Sequence, residues 1–487
     1  MTSIDKQIIV GLEIHVQLAA RTKMFCGCEL VFAAEPNSKV CPVCLGLPGS
    51  LPVMNRQAVE FAMLMATALN CKVAEFTKWD RKSYYYPDLP KNYQISQYDL
   101  PIGSNGFIEI PVSSGTKRVR IRRVHLEEDA GKNIHTAGNF SQVDLNRAGT
   151  PLLEIVTEPD MNSPEEVKSL AVELQRIVRF LGVSEADMQK GHMRFEPNIN
   201  LHIKKDNSEF KTPITEVKNL NSFKALEKSV AYEALRQFDN FVEKGECLQS
   251  GNKKTFGWDD IKEVTVLQRE KEEAHDYRYF PDPDLVPVVV NEKWLNEIKI
   301  KLCELPLKMQ ARFISEYGLS EYDACVLTSD KSTAEFFDSS VKAGGNAKRI
   351  CNLITQTGLK IANEKGCSVA QLGIETARLA ELAKMADGGQ ISATAAVTIF
   401  VEMTNSKELP DQIAARLNLV QKSDAGELEK VVDEVIAANS QAVEDAKSGD
   451  KKSKKAYGFL MGQVMQKTKG TANPQVVAKI LEAKLKN

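Results

Sequence analysis

The stretch IIVGLEIHVQL, residues 8–18, decides how the N-terminal part of this chain folds. Apolar Leu12 and Ile14 alternate there with polar Glu13 and His15. An apolar residue at every second position is typical of a β-strand that buries one face and leaves the other polar. The sequence therefore predicts a strand that presents a carboxylate and an imidazole on its polar face.

Three other stretches alternate in the same way: RVRIRRVHLEEDAGK (118–132), TPLLEIVTEPD (150–160) and MRFEPNINLHI (193–203). Pro197, in the last of them, predicts an edge strand or a bulge, because proline cannot donate a ladder hydrogen bond. For each strand alone, the solvated face of an antiparallel sheet explains the polar residues. Together the strands could offer oxygen ligands, with occasional nitrogen, to Mg²⁺ and to the phosphates of a nucleotide.

The familiar phosphate-binding loops are missing from the sequence. Neither the pattern GxxxxGK[ST] nor a GxGxxG following a strand occurs. A phosphoryl-transfer site in this chain would therefore be built on a sheet.

The stretch CGCELVFAAEPNSKVCPVC holds four of the ten cysteines, at positions Cys26, Cys28, Cys41 and Cys44. Two short pairs joined by a loop have the ligand spacing of a tetrahedral thiolate zinc site. Four unrelated buried thiols are the alternative, at odds of roughly one in ten, because free cysteines rarely pair at chelating distances. A closed set of four leaves no open coordination position, so this zinc would be structural.

The composition is that of an ordinary globular protein. The 487 residues are 43% hydrophobic and 26% charged, enough for about three domains. The start of the chain lacks the basic and apolar regions of a secretory signal, and no run of eighteen apolar residues occurs. We expect a cytoplasmic protein without a membrane segment, in a reducing compartment where clustered cysteines bind metal rather than form disulfides.

The composition changes after residue 290, where helical periodicity begins and a linker is expected. Residues 450–487 contain nine lysines and only two acidic residues, Asp450 and Glu482. This segment therefore has a net charge of +7, whereas the whole chain has a net charge of −2. Such a segment suits a phosphate backbone, but a solvated helix end explains the lysines equally well. The apolar residues of YGFLMGQVM favour a small folded module, because a merely solvated tail needs no apolar face.

Longer motifs carry a family resemblance. GLEIHVQL, CPVCLGLPGSLPVMN, YYYPDLPKNYQISQYDLP, VHLEEDAGK, DLNRAGTPLLEIVTEPD, DYRYFPDPDLVP and GFLMGQVMQKTKGTANPQ closely resemble, in order and over essentially the whole chain, the B subunit of the aspartyl/glutamyl-tRNA amidotransferases.

The resemblance implies a fold of the α+β class. It has an N-terminal cradle domain (1–292) with an antiparallel sheet related to that of glutamine synthetase and a zinc knuckle at 26–44. An all-α middle domain (293–408) and a small helical tail domain that binds tRNA (409–487) follow.

The resemblance also implies an enzyme, a ligase that forms a carbon–nitrogen bond with glutamine as amide donor. Members use ATP to phosphorylate the side-chain carboxylate of glutamate misacylated onto tRNA(Gln), or of aspartate on tRNA(Asn), and ammonia then displaces the phosphate. The implied cofactors are ATP, Mg²⁺ and structural Zn²⁺. Since the sequence has no evident glutaminase constellation, ammonia would come from a partner, the A subunit, with the C subunit completing a heterotrimer.

The resemblance assigns site residues as well. Glu13, His15 and Glu128 match the metal-binding motif positions and are the first candidates for catalysis and for Mg²⁺. Position 196 holds glutamate where aspartate is also expected in relatives, so its side chain reaches the metal directly or through water. The further candidates for Mg²⁺, ATP or substrate are Glu127, Lys132 (toward phosphate), Glu154 and Glu196.

Two other functions compete with this interpretation. One is a zinc-containing RNA-binding protein without catalytic activity, in which the polar strands only line a groove. The other is an amide ligase of glutamine synthetase type that acts on a free amino acid, although it gives no reason for the basic tail.

Overall fold

The computed structural model describes residues 4–135, 138–206, 208–249, 253–270, 277–421, 425–447, 451–468 and 472–486. The chain divides into two compact units, Met1–Pro306 and Leu307–Asn487. The first is rich in β-sheet and the second is helical, which confirms the predicted α+β class with a sheet followed by helices. The predicted domain boundaries at 292 and 408 stay predictions.

The first unit contains the strands. They are β1 (Asp5–Gln17), β2 (Lys72–Val73), β3 (Phe76–Thr77), β4 (Asp80–Ser83), β5 (Tyr93–Ser96), β6 (Gly103–Val112), β7 (Gly115–Glu128), β8 (Lys132–His135), β9 (Ser141–Asp144), β10 (Pro151–Thr157), β11 (Met193–Lys205), β12 (Ser208–Lys211), β13 (Thr215–Lys218), β14 (Lys254–Asp259), β15 (Val264–Glu270), β16 (Phe280–Pro281) and β17 (Val288–Val289).

Ten strands form one large sheet in the order β15-β14-β13-β11-β1-β10-β7-β6-β2, with β12 also paired to β11. The predicted antiparallel arrangement holds for every neighbouring pair except β13 and β14, which run parallel. Smaller sheets are formed by β16-β4-β5, β17-β3 and β8-β9.

The first unit also contains α1 (Arg56–Ala68), α2 (Pro164–Phe180), α3 (Phe223–Lys244) and α4 (Glu292–Ile300). The side chains of Asn55, Ser163 and Ser222 accept hydrogen bonds from the first turns of α1, α2 and α3, which satisfies backbone donors that have no helical partner. These caps fix where each helix begins.

β1 lies between β10 and β11, and its predicted alternation is confirmed. Val10, Leu12, Ile14 and Val16 are at most 1% exposed and share one core with apolar residues of α1 and α2. Burying a side chain of this size stabilises the fold by about 1.5–3 kcal/mol. The apolar face therefore fixes the register of β1, and with it the direction in which the polar residues between them point.

Pro197 is part of β11, which is an interior strand of the sheet rather than an edge strand. The part of β11 around Pro197 nevertheless pairs with a neighbouring strand on one side only, as an edge strand does. In the described part of the chain, β12 pairs with β11 only at 202–205 and β13 only at 198–199, so residues 193–197 pair with β1 alone. A proline is tolerated there because one side of the strand lacks a ladder.

The second unit contains α5 (Pro306–Tyr317), which begins at the boundary residue, α6 (Glu321–Leu327), α7 (Lys331–Lys342), α8 (Ala347–Asn352), α9 (Leu359–Lys365), α10 (Thr376–Asp387), α11 (Ala393–Met403), α12 (Pro410–Arg416), α13 (Ala425–Ala438), α14 (Ser440–Lys447), α15 (Lys451–Lys467) and α16 (Pro474–Lys486). A π-helical turn, Leu353–Gly358, joins α8 to α9, and a 3₁₀ turn covers Val369–Leu372.

The last four helices contain an apolar cluster of their own. Leu460 and Val464 of α15, within the stretch YGFLMGQVM, are fully buried against Leu428 and Val432 of α13 and Leu481 of α16. The apolar face predicted for this basic segment is therefore present. Residues 469–471, which follow this stretch, lie outside the described part of the chain.

None of the helices that the structure describes is long and apolar enough to cross a membrane.

Candidate functional site

The polar face of β1 and its neighbours gathers acidic residues and imidazoles from four strands. Glu13 lies opposite Glu196 of β11, and His15 lies opposite Glu154 of β10. Glu154 in turn lies opposite His125 of β7. Residues directly opposite one another in neighbouring strands share a face and lie within side-chain reach. The site is therefore a direct result of the strand register.

One group on this face, the histidine cluster, consists of His15, Glu127 and Glu154. Nε2 of His15 lies 3.4 Å from Oε1 of Glu127 and 3.6 Å from Oε2 of Glu154. His125 supports the group, with its Nε2 at 3.2 Å from the same Glu154 oxygen. The two glutamates are buried and the His15 side chain is 16% exposed. One ligand atom from each member lies within 4.8 Å of the others, so the cluster could hold a metal ion.

The histidine cluster favours a charged imidazole between charged carboxylates. Burial by itself lowers the pKa of His15, but hydrogen bonds to Glu127 and Glu154 outweigh burial and hold that pKa well above 6.5. Burial by itself raises the pKa of Glu154, yet His125 and His15 hold it well below 4.5. A divalent cation that enters the metal-free cluster must therefore displace a proton from His15.

A second group, the glutamate cluster, consists of Glu13, Glu196 and Glu216, again with ligand atoms within 4.8 Å of one another. Asn198 donates a hydrogen bond from Nδ2 to Oε1 of Glu13 at 3.0 Å. Nζ of Lys218 lies 2.5 Å from Oε2 of Glu196 and 3.7 Å from Oε1 of Glu216. At about 3.4 Å per strand residue, Glu13 and His15 place the two clusters roughly 7 Å apart along β1.

Lys82 of β4 faces the histidine cluster. Burial lowers the pKa of this lysine, but the charges of Glu127 and Glu154 more than compensate and raise it above its ordinary value. The ring centres of Tyr277 and Tyr84 lie 4.8 Å and 5.9 Å from its Nζ. A cation held beside carboxylates and among aromatic rings could bind an anionic group brought to the cluster.

Glu128 is separate from both clusters. Its Oε1 accepts a hydrogen bond from the backbone N–H of Ile95 at 2.9 Å and pairs with the ammonium of Lys91. Its side chain lines a cavity of about 180 Å³ together with Lys23 and Cys44. Among the described residues, no group of metal-ligand atoms that lie close together includes Glu128.

The predicted magnesium set of Glu13, His15 and Glu128 stays a prediction, although no group of neighbouring ligand atoms among the described residues contains all three. The physical reason is strand alternation, since Glu127 and Glu128 are consecutive in β7 and point to opposite faces. Glu127 is the one that shares the face of His15. The catalytic role of each of the three stays a prediction.

Lys132 lies in a third place, a cavity of about 600 Å³ beside the C-terminal end of β1. Gln17, on the same face of β1 as His15, also lines this cavity, so it begins next to the histidine cluster. Phe32 lines it with a side chain that is 67% exposed, and its ring meets the imidazole of His192 edge-on at 6.3 Å. The cationic residues in the lining are Lys132, Arg147, Lys190 and, when protonated, His192.

The zinc knuckle, residues 26–44, brings Cys26, Cys28, Cys41 and Cys44 together, with their Sγ atoms within 4.8 Å of one another. Zn–S bonds of about 2.3 Å in a tetrahedron need sulfurs roughly 3.8 Å apart, and the Sγ separations, all within 4.8 Å, are compatible with this geometry. In the metal-free state, a hydrogen bond from the Cys26 thiol lowers the pKa of Cys44. The cluster could hold a metal such as zinc.

The loop between the two cysteine pairs is tied to the segment before β10. Oδ1 of Asn37 accepts a hydrogen bond from the backbone N–H of Leu145 at 2.8 Å, and Nδ2 of Asn146 donates to the carbonyl of Glu35 at 2.7 Å. The N–H of Lys39 donates to Oδ1 of Asn146 at 2.8 Å. The knuckle therefore has a fixed position beside the large cavity, which residues 30–34 line.

Both clusters on the sheet offer donors of the kind that Mg²⁺ takes. The glutamate cluster supplies carboxylate oxygens alone, and the histidine cluster supplies two carboxylates and one imidazole. Mg²⁺ prefers oxygen ligands at 2.0–2.1 Å and usually keeps several waters, so partial sets of this kind suit it. The donor chemistry therefore fits the predicted metal.

Four site residues were not among the sequence candidates. His125 could have been found, since it precedes Glu127 by two positions and must share its face. Glu216 and Lys218 lie on β13, which is only four residues long and therefore has too short an alternation to stand out. Lys82 lies in a different sheet, so no local pattern encodes its electrostatic interaction with Glu127 and Glu154.

Comparison with known proteins covers nearly the whole chain. Residues 8–296 match the family described as the GatB/GatE catalytic domain, and residues 335–485 match the GatB domain family.

Three relatives are named as the B subunit of an aspartyl/glutamyl-tRNA(Asn/Gln) amidotransferase. The protein from Carboxydothermus hydrogenoformans is 47% identical to this chain, over 99% of both chains. The protein from Caldanaerobacter subterraneus is also 47% identical, over 98% of this chain and 99% of the relative. The protein from Brevibacillus brevis is 45% identical over 98% of both chains.

The charge state of the histidine cluster leads to a testable prediction. In the metal-free protein we expect His15 to titrate above pH 6.5, and we expect Glu154→Gln to lower its pKa because one anionic neighbour is lost. Histidine-selective ¹³C NMR, recorded as a function of pH in the presence of a chelator, measures both values.

His192 and His202 serve as internal controls, because burial lowers their pKa values below 6.5. Glu154→Gln should leave the titration of His202 unchanged. A His15 that titrates at or below 6.5 in the unmutated protein, or that ignores the substitution, contradicts the described electrostatics.

Proposed function

Since the chain belongs to the family of aspartyl/glutamyl-tRNA amidotransferase B subunits, we propose that it amidates an amino acid attached to tRNA in an ATP-dependent reaction. The substrate is glutamate on tRNA(Gln), aspartate on tRNA(Asn), or both. The side-chain carboxylate attacks the γ-phosphorus of ATP, which releases ADP and leaves an acyl phosphate. Ammonia then attacks the acyl carbon and inorganic phosphate departs, leaving the amide on the tRNA.

Two steps are needed because a carboxylate is a poor electrophile. Direct attack by ammonia would have to expel oxide, whereas the acyl phosphate offers phosphate as a good leaving group. Phosphoryl transfer requires little covalent help from a protein, but it requires precise positioning and neutralisation of the phosphate charge. A protein that performs it without a phosphate-binding loop needs a surface dense in metal ligands.

The observation that carries the proposal is the pair of clusters on one face of the sheet. The histidine cluster and the glutamate cluster lie roughly 7 Å apart along β1, and each has ligand atoms within 4.8 Å of one another. That spacing can serve the phosphates of one nucleotide. A sheet face that was merely solvated would leave its carboxylates apart and exposed.

The residues of the two clusters have distinct roles in this proposal. Mg²⁺, when bound, neutralises phosphate charge and polarises the phosphoryl oxygens. His15, Glu127 and Glu154 would hold one ion, and the three carboxylates of the glutamate cluster would hold another. Lys82 offers its ammonium to the phosphoryl group under attack. Glu128 remains a candidate for contact with substrate or ammonia from the opposite side of β7.

The large cavity is proposed to receive the aminoacylated 3′ end of the tRNA. It begins at Gln17, two residues along β1 from His15, so an amino acid esterified there could extend its carboxylate toward the clusters. The exposed ring of Phe32 offers a surface on which an unpaired base can stack. Lys132, Arg147 and Lys190 offer cations to the phosphates of that strand.

Ammonia is proposed to come from a partner. The names of the relatives mark them as the B subunit of a larger enzyme, and we propose that the A subunit hydrolyses glutamine and that the C subunit completes a heterotrimer. The chain would then receive ammonia in an assembly rather than generate it.

A second function, amidation of free glutamate, is less well supported. The four-helix tail has its own apolar core and a surface that includes the exposed Lys454, Lys455 and Lys479. A ligase that acts on a free amino acid has no use for such a surface. ATP hydrolysis stimulated by glutamyl-tRNA but not by free glutamate would separate the two functions.

The proposal predicts the effect of Glu154→Gln on the assembled enzyme. With ammonium chloride as nitrogen source, amidation of misacylated tRNA should fall by at least the roughly 10–100-fold that loss of a partner of a metal ligand costs. tRNA binding, measured by filter retention, should stay within about twofold because the substituted carboxylate is not one of the residues proposed to contact tRNA.

The matched control for that test is Glu158→Gln, just beyond the end of β10. Glu158 pairs with Arg122 at 2.8 Å and belongs to neither cluster, so its amidation rate should be nearly unchanged. Full activity of Glu154→Gln, or equal losses in the two variants, would remove the histidine cluster from the reaction.

The tail gives a prediction about salt dependence. Lys467 is paired with Glu434, and Lys484 lies 2.9 Å from oxygens of acidic residues in α13, so both are already neutralised. Lys454 and Lys455 are exposed, with no acid within ion-pair distance in the part of the chain that the structure describes. Lys454→Gln with Lys455→Gln should therefore weaken tRNA binding and lower the slope of log K against log salt by about 1.5.

The control is Lys467→Gln with Lys484→Gln, which removes the same formal charge. We expect this pair to change the slope much less, because each of these lysines is neutralised before tRNA arrives. Equal slopes for the unmutated protein and Lys454→Gln/Lys455→Gln would exclude these lysines from the tRNA contact.

A further inference from the structure

Lys23 is the second largest of the fully buried side chains in the first unit, and it is 0% exposed. Lysine is almost never fully buried unless it is paired, since removing an ammonium from water costs several kcal/mol. Lys23 follows the strand β1 and precedes the cysteine pair Cys26 and Cys28. Its N–H donates to the carbonyl of Cys28 at 2.9 Å, which fixes its backbone to the knuckle.

The Lys23 ammonium has two contacts. Nζ lies 3.5 Å from Sγ of Cys44 and 3.3 Å from the carbonyl oxygen of Leu145. A carbonyl carries no net charge and does not by itself compensate a buried cation. The sulfur is therefore the only contact of the two that can supply a negative charge.

Among the described residues, no carboxylate lies within ion-pair distance of Lys23. Two acids do line the same cavity of about 180 Å³, but each has another partner. Glu128 pairs with Lys91, and Asp284 pairs with Arg81 at 3.0 Å. In the described part of the chain, Lys23 is thus a buried lysine without a carboxylate partner.

A zinc ion bound by four thiolates supplies the missing charge. Zn²⁺ with four Cys S⁻ ligands has a net charge of −2, and Cys44, the ligand that Lys23 contacts, is itself buried. Hydrogen bonds and charges just outside the ligands stabilise such centres and tune their affinity. The buried ammonium and the tetrathiolate site compensate each other.

We propose that Lys23 is the charge-compensating positioning residue of the zinc site, donating a hydrogen bond to Sγ of Cys44 and orienting that ligand toward the metal. Zinc and Lys23 then depend on each other: zinc makes the buried ammonium tolerable, and the ammonium makes the anionic centre tolerable. This inference rests on the knuckle alone and stands or falls independently of the proposed amidation.

The experiment compares Lys23→Met with Lys39→Met in the full-length chain. Methionine keeps the length and packing of the lysine stem and removes the charge. Lys39 lies in the knuckle loop and pairs with Glu29 at 2.9 Å, but it contacts no cysteine sulfur. Zinc affinity is measured by competition with a chromophoric chelator, and the sulfur-to-metal charge-transfer bands are recorded with Co²⁺ in place of zinc.

Lys23→Met should weaken zinc binding by about 10–100-fold and shift the Co²⁺ bands, because Cys44 loses its cationic hydrogen-bond donor and keeps only the backbone N–H of Cys41. Lys39→Met should change neither. Unaltered affinity and an unaltered Co²⁺ spectrum in Lys23→Met would overturn the proposal.

Thermal stability with and without zinc distinguishes charge compensation from a merely structural role. In excess chelator, Lys23→Met should unfold at the same temperature as the unmutated protein or higher, since it no longer buries an unpaired charge. With saturating zinc it should unfold at a lower temperature. An equal loss of stability in both states means that Lys23 stabilises the fold independently of zinc, and contradicts the proposal.

If Lys23→Met does not accumulate as folded protein, Lys23→Gln provides the same comparison. Glutamine can still donate to the Leu145 carbonyl but carries no charge. Zinc affinity of Lys23→Gln equal to that of the unmutated protein overturns the proposal, and a loss like that expected for methionine supports it.

Discussion

The constraint on which the site depends is the two-residue period of β1. Leu12 and Ile14 are buried in the main core, so Glu13 and His15 must point to the opposite face. A slip of one residue would bury the carboxylate and imidazole and expose the apolar side chains. The hydrophobic core therefore fixes the chemistry as well as the fold, because the register of β1 with β10 and β11 then determines which neighbours complete each cluster.

Carboxylates this close repel one another, and the protein offsets the repulsion with cations from separate elements. The imidazole of His15 lies within one cluster, Lys218 adjoins the other, and Lys82 faces the first from a different sheet. These cations stabilise the close packing of the carboxylates. The zinc site proposed for the knuckle would use the converse arrangement, in which the buried Lys23 lies beside an anionic centre.

Local periodicity predicted the strands, their buried faces and the cysteine cluster, because these features repeat within a short stretch of sequence. It did not predict which carboxylate lies beside His15. To choose between Glu127 and Glu128, one must know which residues of β7 point to the same face of the sheet as His15, and the strand register determines this. Glu216 and Lys82 come from short strands whose positions depend on tertiary pairing. The resemblance assigned Glu128 to the Mg²⁺ site. The structure places Glu128 and His15 on opposite faces of the sheet.

The central claim is that the acidic face transfers a phosphoryl group from ATP to the substrate carboxylate. Oxygen isotopes test it directly: the assembled enzyme is given tRNA esterified with glutamate whose side-chain carboxylate carries ¹⁸O, together with ATP and ammonium chloride. We expect one ¹⁸O in inorganic phosphate for each amide formed, since the bridging oxygen of the acyl phosphate leaves with phosphorus. Unlabelled phosphate alongside normal amide formation would contradict it.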